Sequence, residues 1–239
     1  MAPPKTGRLA VLIDADNARA ATIQALLAEV SRYGTASIKR AYGDWTTPNL
    51  KGWKDVLHRL AIQPMQQFSY TTGKNATDSS LIIDAMDLLH SAGLDGFCLV
   101  SSDSDFTRLA TRIREAGLAV YGFGEKKTPQ PFVAACDKFI YTEILEPEAS
   151  PAVQEGQPLP PLEPMLRSAI VASAREDGWS ALSAVGSMIL KNNPSFDPRN
   201  YGCQKLGELV RKQGYVEVKE VPTPVGSGNA HLFVRPRSA

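Results

Sequence analysis

Four aspartates stand where a fold could gather carboxylates: Asp14 in LAVLIDADN, Asp103 and Asp105 in FCLVSSDSDF, and Asp78 in TDSSLIIDAMDLL. Asp14, Asp103 and Asp105 directly follow short apolar runs, so parallel strands would leave them at one sheet edge with no basic residue inside either run. Asp78 comes from a helix start. On a wheel of about 100° per residue, Leu81, Ile82, Ala85, Leu88 and Leu89 fall within roughly 80° of it, which places it on the stripe facing the sheet and Asp87 on the solvated side. Carboxylates gathered in this way repel one another and repel a phosphate, and a divalent cation resolves both conflicts. Hard oxygen ligands with no Cys or His beside them suit Mg²⁺ or Mn²⁺ and in-line attack on a phosphodiester. Taken singly, Asp14, Asp78 or Asp105 is equally well a turn residue or helix cap, and Asp84, at the border of the apolar face, is a hydrogen-bonded flank residue. The functional reading rests on the set.

The elements that must position these acids alternate. Leu9 to Ile13, Ser37 to Tyr42, Met65 to Tyr70, Phe97 to Val100, Ala119 to Phe123 and Phe139 to Leu145 are predicted strands. Between them run helical patterns at Ala20 to Tyr33, Leu50 to Leu60, Asp78 to Ser91 and Asp105 to Ala116, several closed by a glycine (Gly34, Gly93, Gly117). This order predicts an α/β domain with a parallel sheet and helices on both faces.

Past Glu146 the segment EPEASPAVQEGQPLPP is proline-rich and has almost nothing able to build a core, so residues 147–161 read as a linker. After it come helical patterns at Leu162 to Glu176, Ala181 to Asn192 and Cys203 to Lys212, then β-like runs at Tyr215 to Val221 and His231 to Arg235. Three helices and a terminal hairpin predict a small winged helix.

The 239 residues, 43% hydrophobic and 21% charged, exclude a disordered or collagen-like chain. A formal charge of +1 hides an uneven distribution: residues 1–146 carry 16 basic and 16 acidic groups, whereas residues 162–239 carry 10 and 7. The C-terminal domain is therefore mildly basic. Cys98, Cys136 and Cys203 are odd in number and widely spaced, which argues against both a disulfide framework and a zinc site. With no signal-peptide core and no apolar run near membrane-span length, the expected location is cytoplasmic, away from membranes.

The segments LIDADN, GKNATDSSLIIDAMDLL and LVSSDSDFTRLATRIREAGLAVYGFG resemble the NYN domain of the PIN-like nuclease superfamily, in its bacterial LabA-like branch, over about residues 8–146. The resemblance implies a Rossmann-like sheet and metal-dependent RNA cleavage, with Asp14, Asp78, Asp103 and Asp105 as the acidic cluster. Asn17 matches the Asn after the first acid, and Ser101 or Ser102 the small hydroxyl residue before the third. Lys74 lies near the Lys that precedes the second acid, offset by one residue, and Asp84 matches a frequent acidic position of that helix. Residues 162–236, through PSFDPRNYGCQKLGEL, resemble the OST-HTH or LOTUS domain, a winged-helix module linked to RNA binding. There Tyr201 and Gly202 begin the third helix, and Lys205, Arg211 and Lys212 lie on it or at its end, where a solvated helix face is the competing role. The linker leaves this module free to form a homodimer or reach a protein partner.

Together these readings predict a Mg²⁺- or Mn²⁺-dependent endoribonuclease acting on single-stranded RNA, with a C-terminal RNA-binding module. The alternative is a non-catalytic RNA-binding or regulatory protein that keeps the acids for folding or a structural ion. A haloacid-dehalogenase-like phosphatase is a weaker third reading, because D-x-D follows the first strand but Asn17 stands where Thr or Val is usual. A dinucleotide site is excluded, since no G-x-G-x-x-G follows that strand. Trp45, Trp53, Trp179, Phe68 and Tyr70 offer rings for unpaired bases, with core or rim packing as the competing role. His58, His90 and His231 have no ligand spacing.

Overall fold

The computed structural model describes residues 7–68, 76–145, 159–222 and 230–237. The chain divides into two compact units, residues 1–156 and 157–239.

In the first unit, strands and helices alternate: β1 (Arg8–Asp14), α1 (Ile23–Val30), β2 (Thr35–Gly43), α2 (Trp53–Arg59), β3 (Gln63–Gln66), α3 (Ala76–Ser91), β4 (Gly96–Val100), α4 (Thr107–Glu115), β5 (Ala119–Gly124), α5 (Gln130–Ala135) and β6 (Lys138–Tyr141). The strand order is β3-β2-β1-β4-β5-β6 and every neighbouring pair is parallel. Parallel sheets need both faces covered, which is why β1 and β4 read as continuous apolar runs. Val11 and Ile13 pack against Ile23, Leu26 and Val30 of α1 and Trp53 and Leu57 of α2. The opposite parity carries Leu12 and Asp14, in register with Arg40 and Tyr42. There α3 packs on β1 and β2 and buries Leu81, Ala85 and Leu88, three of the stripe positions expected from the wheel. α4 buries Leu109, Ala110 and Ile113 beside it.

The strand order reverses between β1 and β4, so their carboxyl ends flank a crevice of the kind that holds ligands in open α/β sheets. Asp14 ends the first of these strands, and the Ser101–Asp105 segment leaves the second.

Several expected boundaries move for physical reasons. The strand expected at Met65 to Tyr70 is β3, which ends at Gln66, because β2 stops at Gly43 and leaves nothing to pair with a longer strand. As an edge strand it tolerates Pro64. Tyr70 lies outside the described residues. Likewise β6 ends at Tyr141 opposite Gly124, the end of β5, and Thr142–Leu145 winds into a 3₁₀ turn where the sheet offers no neighbour. α5 falls in a stretch the apolar pattern left unassigned. Gly93 and Gly117 close their helices with left-handed φ of 58° and 83°, as expected. Gly34 serves packing instead, since a Cβ there would lie 2.4 Å from the Gly7 carbonyl.

The second unit comprises α6 (Leu162–Ala172), β7 (Ser180–Ala181), α7 (Leu182–Asn192), α8 (Leu206–Arg211), β8 (Val216–Pro222) and β9 (Ala230–Pro236). Its antiparallel sheet has the order β7-β9-β8. Leu166, Ile170, Val185, Ile189, Leu209 and Val234 form its core, giving three helices on a small sheet as predicted. Its third helix begins at Leu206, so Tyr201 and Gly202 do not start it. They end a separate 3₁₀ turn, Pro198–Tyr201, whose exit requires the left-handed Gly202 (φ 72°). All three cysteines are free and buried.

Candidate metal centre

Because β1 is buried on both faces and ends at the sheet edge, Asp14 is fully buried. Its Oδ2 accepts hydrogen bonds from Asn17 Nδ2 at 2.7 Å and from the Ser101 hydroxyl at 2.8 Å. Its Oδ1 is equally inaccessible and has no hydrogen-bond partner among the described residues. Burial pushes the Asp14 carboxyl above its ordinary range; the bonds from Asn17 and Ser101 oppose that shift, and the charge of Asp16 adds to it. Buried polar atoms in native proteins are almost always satisfied, so an orphan carboxylate oxygen at a crevice needs an explanation.

Asp103 and Asp105 arrive from the other side of the crevice. Asp103 caps the 3₁₀ turn Ser104–Phe106, its Oδ1 accepting from the Asp105 N–H at 3.0 Å. The Ser101 oxygen in turn accepts from the Asp103 N–H at 3.1 Å, so one hydroxyl ties the end of β1 to the loop after β4. Gly124 permits this approach, since a Cβ there would sit 2.5 Å from the Ser101 carbonyl.

Asp78 lies in the first turn of α3, and α3 packs against the 3₁₀ turn that carries Asp105. One carboxylate oxygen each from Asp78, Asp103 and Asp105 lies within 4.8 Å of the others. Burial, followed by the charges of Asp14, Asp103, Asp105 and Asp16, pushes the Asp78 carboxyl up to about 6. Asp16 belongs to this environment, and its Oδ2 accepts from Thr77 Oγ1 at 3.0 Å beside Asp78. Sequence reasoning passed over Asp16 as a site residue, although the D-x-D spacing after β1 was the available signal.

The supporting residues separate. Asn17 and Ser101 bind Asp14, whereas the Ser102 hydroxyl accepts from the Glu125 N–H at 2.9 Å and orders the loop after β5. Asp84 is drawn away from the cluster: its carboxylate accepts from Arg40 Nη1 at 2.6 Å and from the Tyr42 hydroxyl. Burial, then this bond to Asp84, raises the Tyr42 hydroxyl above its ordinary value. Asp84 therefore fastens α3 to β2. Lys74 lies outside the described residues.

In the second unit, Lys205 stands at the first flanking position of α8 with no side-chain capping bond and Lys212 at the last, both exposed. Arg211 pairs with Glu220 at 2.5 Å. Tyr201 is engaged structurally, its hydroxyl donating to the Pro160 carbonyl at 2.8 Å and its ring lying 5.8 Å from that of Phe196. Among the candidate stacking rings, Trp53 is core, Phe68 is half exposed, and Arg235 and Lys219 already cover Trp179. No helix among the described residues is long and apolar enough to cross a membrane.

Comparison with known families matches residues 8–146 to the NYN domain and residues 158–227 to the OST-HTH/LOTUS domain. Among solved structures, a protein of unknown function from Vibrio parahaemolyticus RIMD 2210633 is similar at 19% identity, over 58% of this chain and 94% of that one, with a TM-score of 0.49. A fragment of a Chromobacterium violaceum protein is 44% identical over 33% of this chain and 83% of its own, with a TM-score of 0.27. An uncharacterized Nitrosomonas europaea protein is 26% identical, covering 39% of this chain and 92% of its own at a TM-score of 0.30. No curated protein matches significantly.

Proposed function

The chain belongs to the NYN domain family, and from that premise we propose that its first unit is a Mg²⁺- or Mn²⁺-dependent endoribonuclease for single-stranded RNA, with the OST-HTH/LOTUS unit selecting the RNA. The observation that carries this reading is the convergence of Asp78, Asp103 and Asp105 within 4.8 Å of one another; Asp14 lies outside that group but close enough for its charge to act on Asp78, and its buried Oδ1 accepts no hydrogen bond among the described residues. These donors fit a hard divalent cation: all are oxygen, and burial, followed by the charges of the neighbouring acids, favours a proton on Asp78 when no cation is bound. Asp14, Asp78, Asp103 and Asp105 would hold it. When bound, the cation supplies Lewis acidity at the phosphate and neutralises charge on the attacking and leaving oxygens.

The rest of the chemistry belongs to the chain. Asn17 and Ser101 fix Asp14 through one oxygen and leave the second undonated, which keeps that oxygen's lone pairs available. Ser101 also holds the Asp103 backbone, so one hydroxyl links the acid on β1 to the acid after β4. Asp78 comes in on a rigid helix whose other contacts, Arg40 and Tyr42 through Asp84, set its position over the sheet.

The test is cleavage of labelled mixed-sequence single-stranded RNA by the purified chain in Mg²⁺, Mn²⁺ and EDTA, beside Asp103→Asn. Metal-dependent cutting is expected. In Asp103→Asn it falls by roughly 100-fold or more, beyond the ~10–100-fold that loss of an outer partner costs a metal site. Intact RNA after long incubation, bound with salt-sensitive but metal-independent affinity, would replace this reading with a non-catalytic RNA-binding protein.

A further inference from the structure

The loop leaving β2 opens a groove of about 910 Å³ along the edge of the sheet, within the range of ~300–1,000 Å³ typical of ligand clefts. Its floor is apolar, with Trp45, Leu57 and Ile62, and its rim carries Lys51, Lys54 and His58. Among the described residues no carboxylate lines it. The Trp45 indole is held in place: Nε1 donates to the Met65 carbonyl at 3.0 Å, and the ring meets Trp53 edge-on at 6.2 Å. The ring nonetheless stays partly accessible.

Charge gives the groove a direction. Elsewhere in this unit Arg32, Arg40, Arg114 and Lys127 each meet a carboxylate. Lys51 and Lys54 are exposed and make no ion pair among the described residues. Position adds to this. Gly43, which ends β2 just before Trp45, lies so close to Leu50 and Asp16 that a Cβ there would sit 2.7 Å and 3.4 Å from them, and Asp16 bonds Thr77 beside Asp78. The groove therefore starts at the same carboxyl edge of the sheet as the acids.

We propose that this groove binds unpaired nucleotides of the RNA strand that flank the phosphate at the aspartate centre, with bases against Trp45 and the apolar floor and phosphates at Lys51 and Lys54. The proposal rests on the ribonuclease reading for its connection to that centre. An unpaired nucleotide combines a flat apolar face with a phosphate, the pairing this lining complements, and stacking on an aromatic ring is worth ~1–3 kcal/mol per base. An apolar peptide would leave both lysines without a counter-charge.

The full chain is titrated in EDTA with a labelled mixed-sequence single-stranded RNA at several salt concentrations, beside Lys51→Ala/Lys54→Ala. Losing two phosphate contacts at ~0.7 each lowers the slope of log affinity against log salt by about 1.4. In parallel, RNA carrying 4-thiouridine is photocrosslinked to wild type, and adducts are expected in the tryptic peptide spanning residues 41–51, which contains Trp45. An unchanged slope, with adducts confined to other peptides, overturns the proposal and leaves the groove to a different ligand such as a peptide. Both readouts are independent of cleavage. Adducts at Trp45 without metal-dependent cutting would sink the nuclease reading and keep the groove as an RNA site. Asp103-dependent cutting with an unchanged slope would do the reverse.

Discussion

The carboxyl edge of the parallel sheet and the surface of the second unit treat charge in opposite ways. At the sheet edge Asp14 is buried with one oxygen unpartnered, and Asp78 is pushed up to about 6 by burial and four neighbouring acids. In the second unit four arginines meet a carboxylate: Arg167 with Glu163, Arg211 with Glu220 and Arg235 with Glu217 at the surface, and Arg199 with the buried Asp197. Among the described residues, it is at the sheet edge that like charges crowd together. Perturbed acids in a crevice mark chemistry, whereas satisfied exposed pairs mark a surface that contributes modest, screened attraction. The same contrast recurs along α3, where Asp84 is paired with Arg40 and Tyr42 while Asp78, less than two turns away, faces other carboxylates.

The sharpest way to break this contrast is to remove what holds the conflict in place. Ser101→Ala deletes one of the two donors to Asp14 and the acceptor of the Asp103 N–H. Metal-dependent cleavage is expected to fall by ~10–100-fold, with a parallel loss of Mn²⁺ affinity by calorimetry, as for outer partners of metal ligands. Ser102→Ala, whose hydroxyl serves the loop after β5, is the comparison variant and should lose far less. Equal losses would show that the seryl pair acts on the loop rather than on Asp14.

Asp84→Asn tests the satisfied end of α3. It leaves the Arg40 guanidinium, about a quarter exposed, without its counter-charge, and is expected to cost ~1–3 kcal/mol in denaturant unfolding. Mn²⁺ affinity per folded molecule should change much less. A loss of metal binding with stability intact would place Asp84 in the cluster after all.

The conflicted end of α3 should reveal itself through pH. The folded Asp78 carboxyl lies at about 6, above its ordinary 3.8, so its contribution to stability is complete below pH 3.8 and disappears as pH rises through 6. In EDTA the wild-type Tm is therefore expected to decline across that window relative to Asp78→Asn, which stays neutral. A cation needs the ionised carboxylate, so Mn²⁺ stabilisation should grow across the same window. Superimposable profiles for wild type and Asp78→Asn would contradict this account.

How much of this was legible in the sequence follows from which interactions are local. Strands β1 and β4 were readable because both of their faces are buried, and α3 because its stripe is periodic. β3 and the end of β6 were misplaced because their limits are set by where a neighbouring strand stops, a fact carried by other segments. The aspartates could be placed at one edge from topology alone, yet the partnering of Asp84 with Arg40 and Tyr42, 44 and 42 residues away, could not. Nor could the choice between Ser101 and Ser102, adjacent hydroxyls in the loop after β4 that serve different partners, Asp14 and the Glu125 N–H. The family resemblance puts Tyr201 at a helix start, whereas the chain closes a separate 3₁₀ turn there through the left-handed Gly202, and the apolar period itself begins only at Cys203.

The smallest effect tests the satisfied surface itself. Arg211 and Glu220 are each about half exposed, so Arg211→Ala should move stability by no more than the ~1 kcal/mol of an exposed pair. Its effect on RNA binding should be equally small, because its charge is already neutralised and must leave Glu220 to reach a phosphate. Lys205 and Lys212 make no ion pair among the described residues, so Lys205→Ala/Lys212→Ala is expected to lower the salt slope by up to about 1.4, on a non-specific affinity of ~10⁻⁴–10⁻⁶ M. Filter binding at two salt concentrations separates the variants. If Arg211→Ala weakens binding more than the lysine pair does, the Arg211–Glu220 bridge opens on RNA, and satisfied charge in the second unit is then a resting state rather than an idle surface.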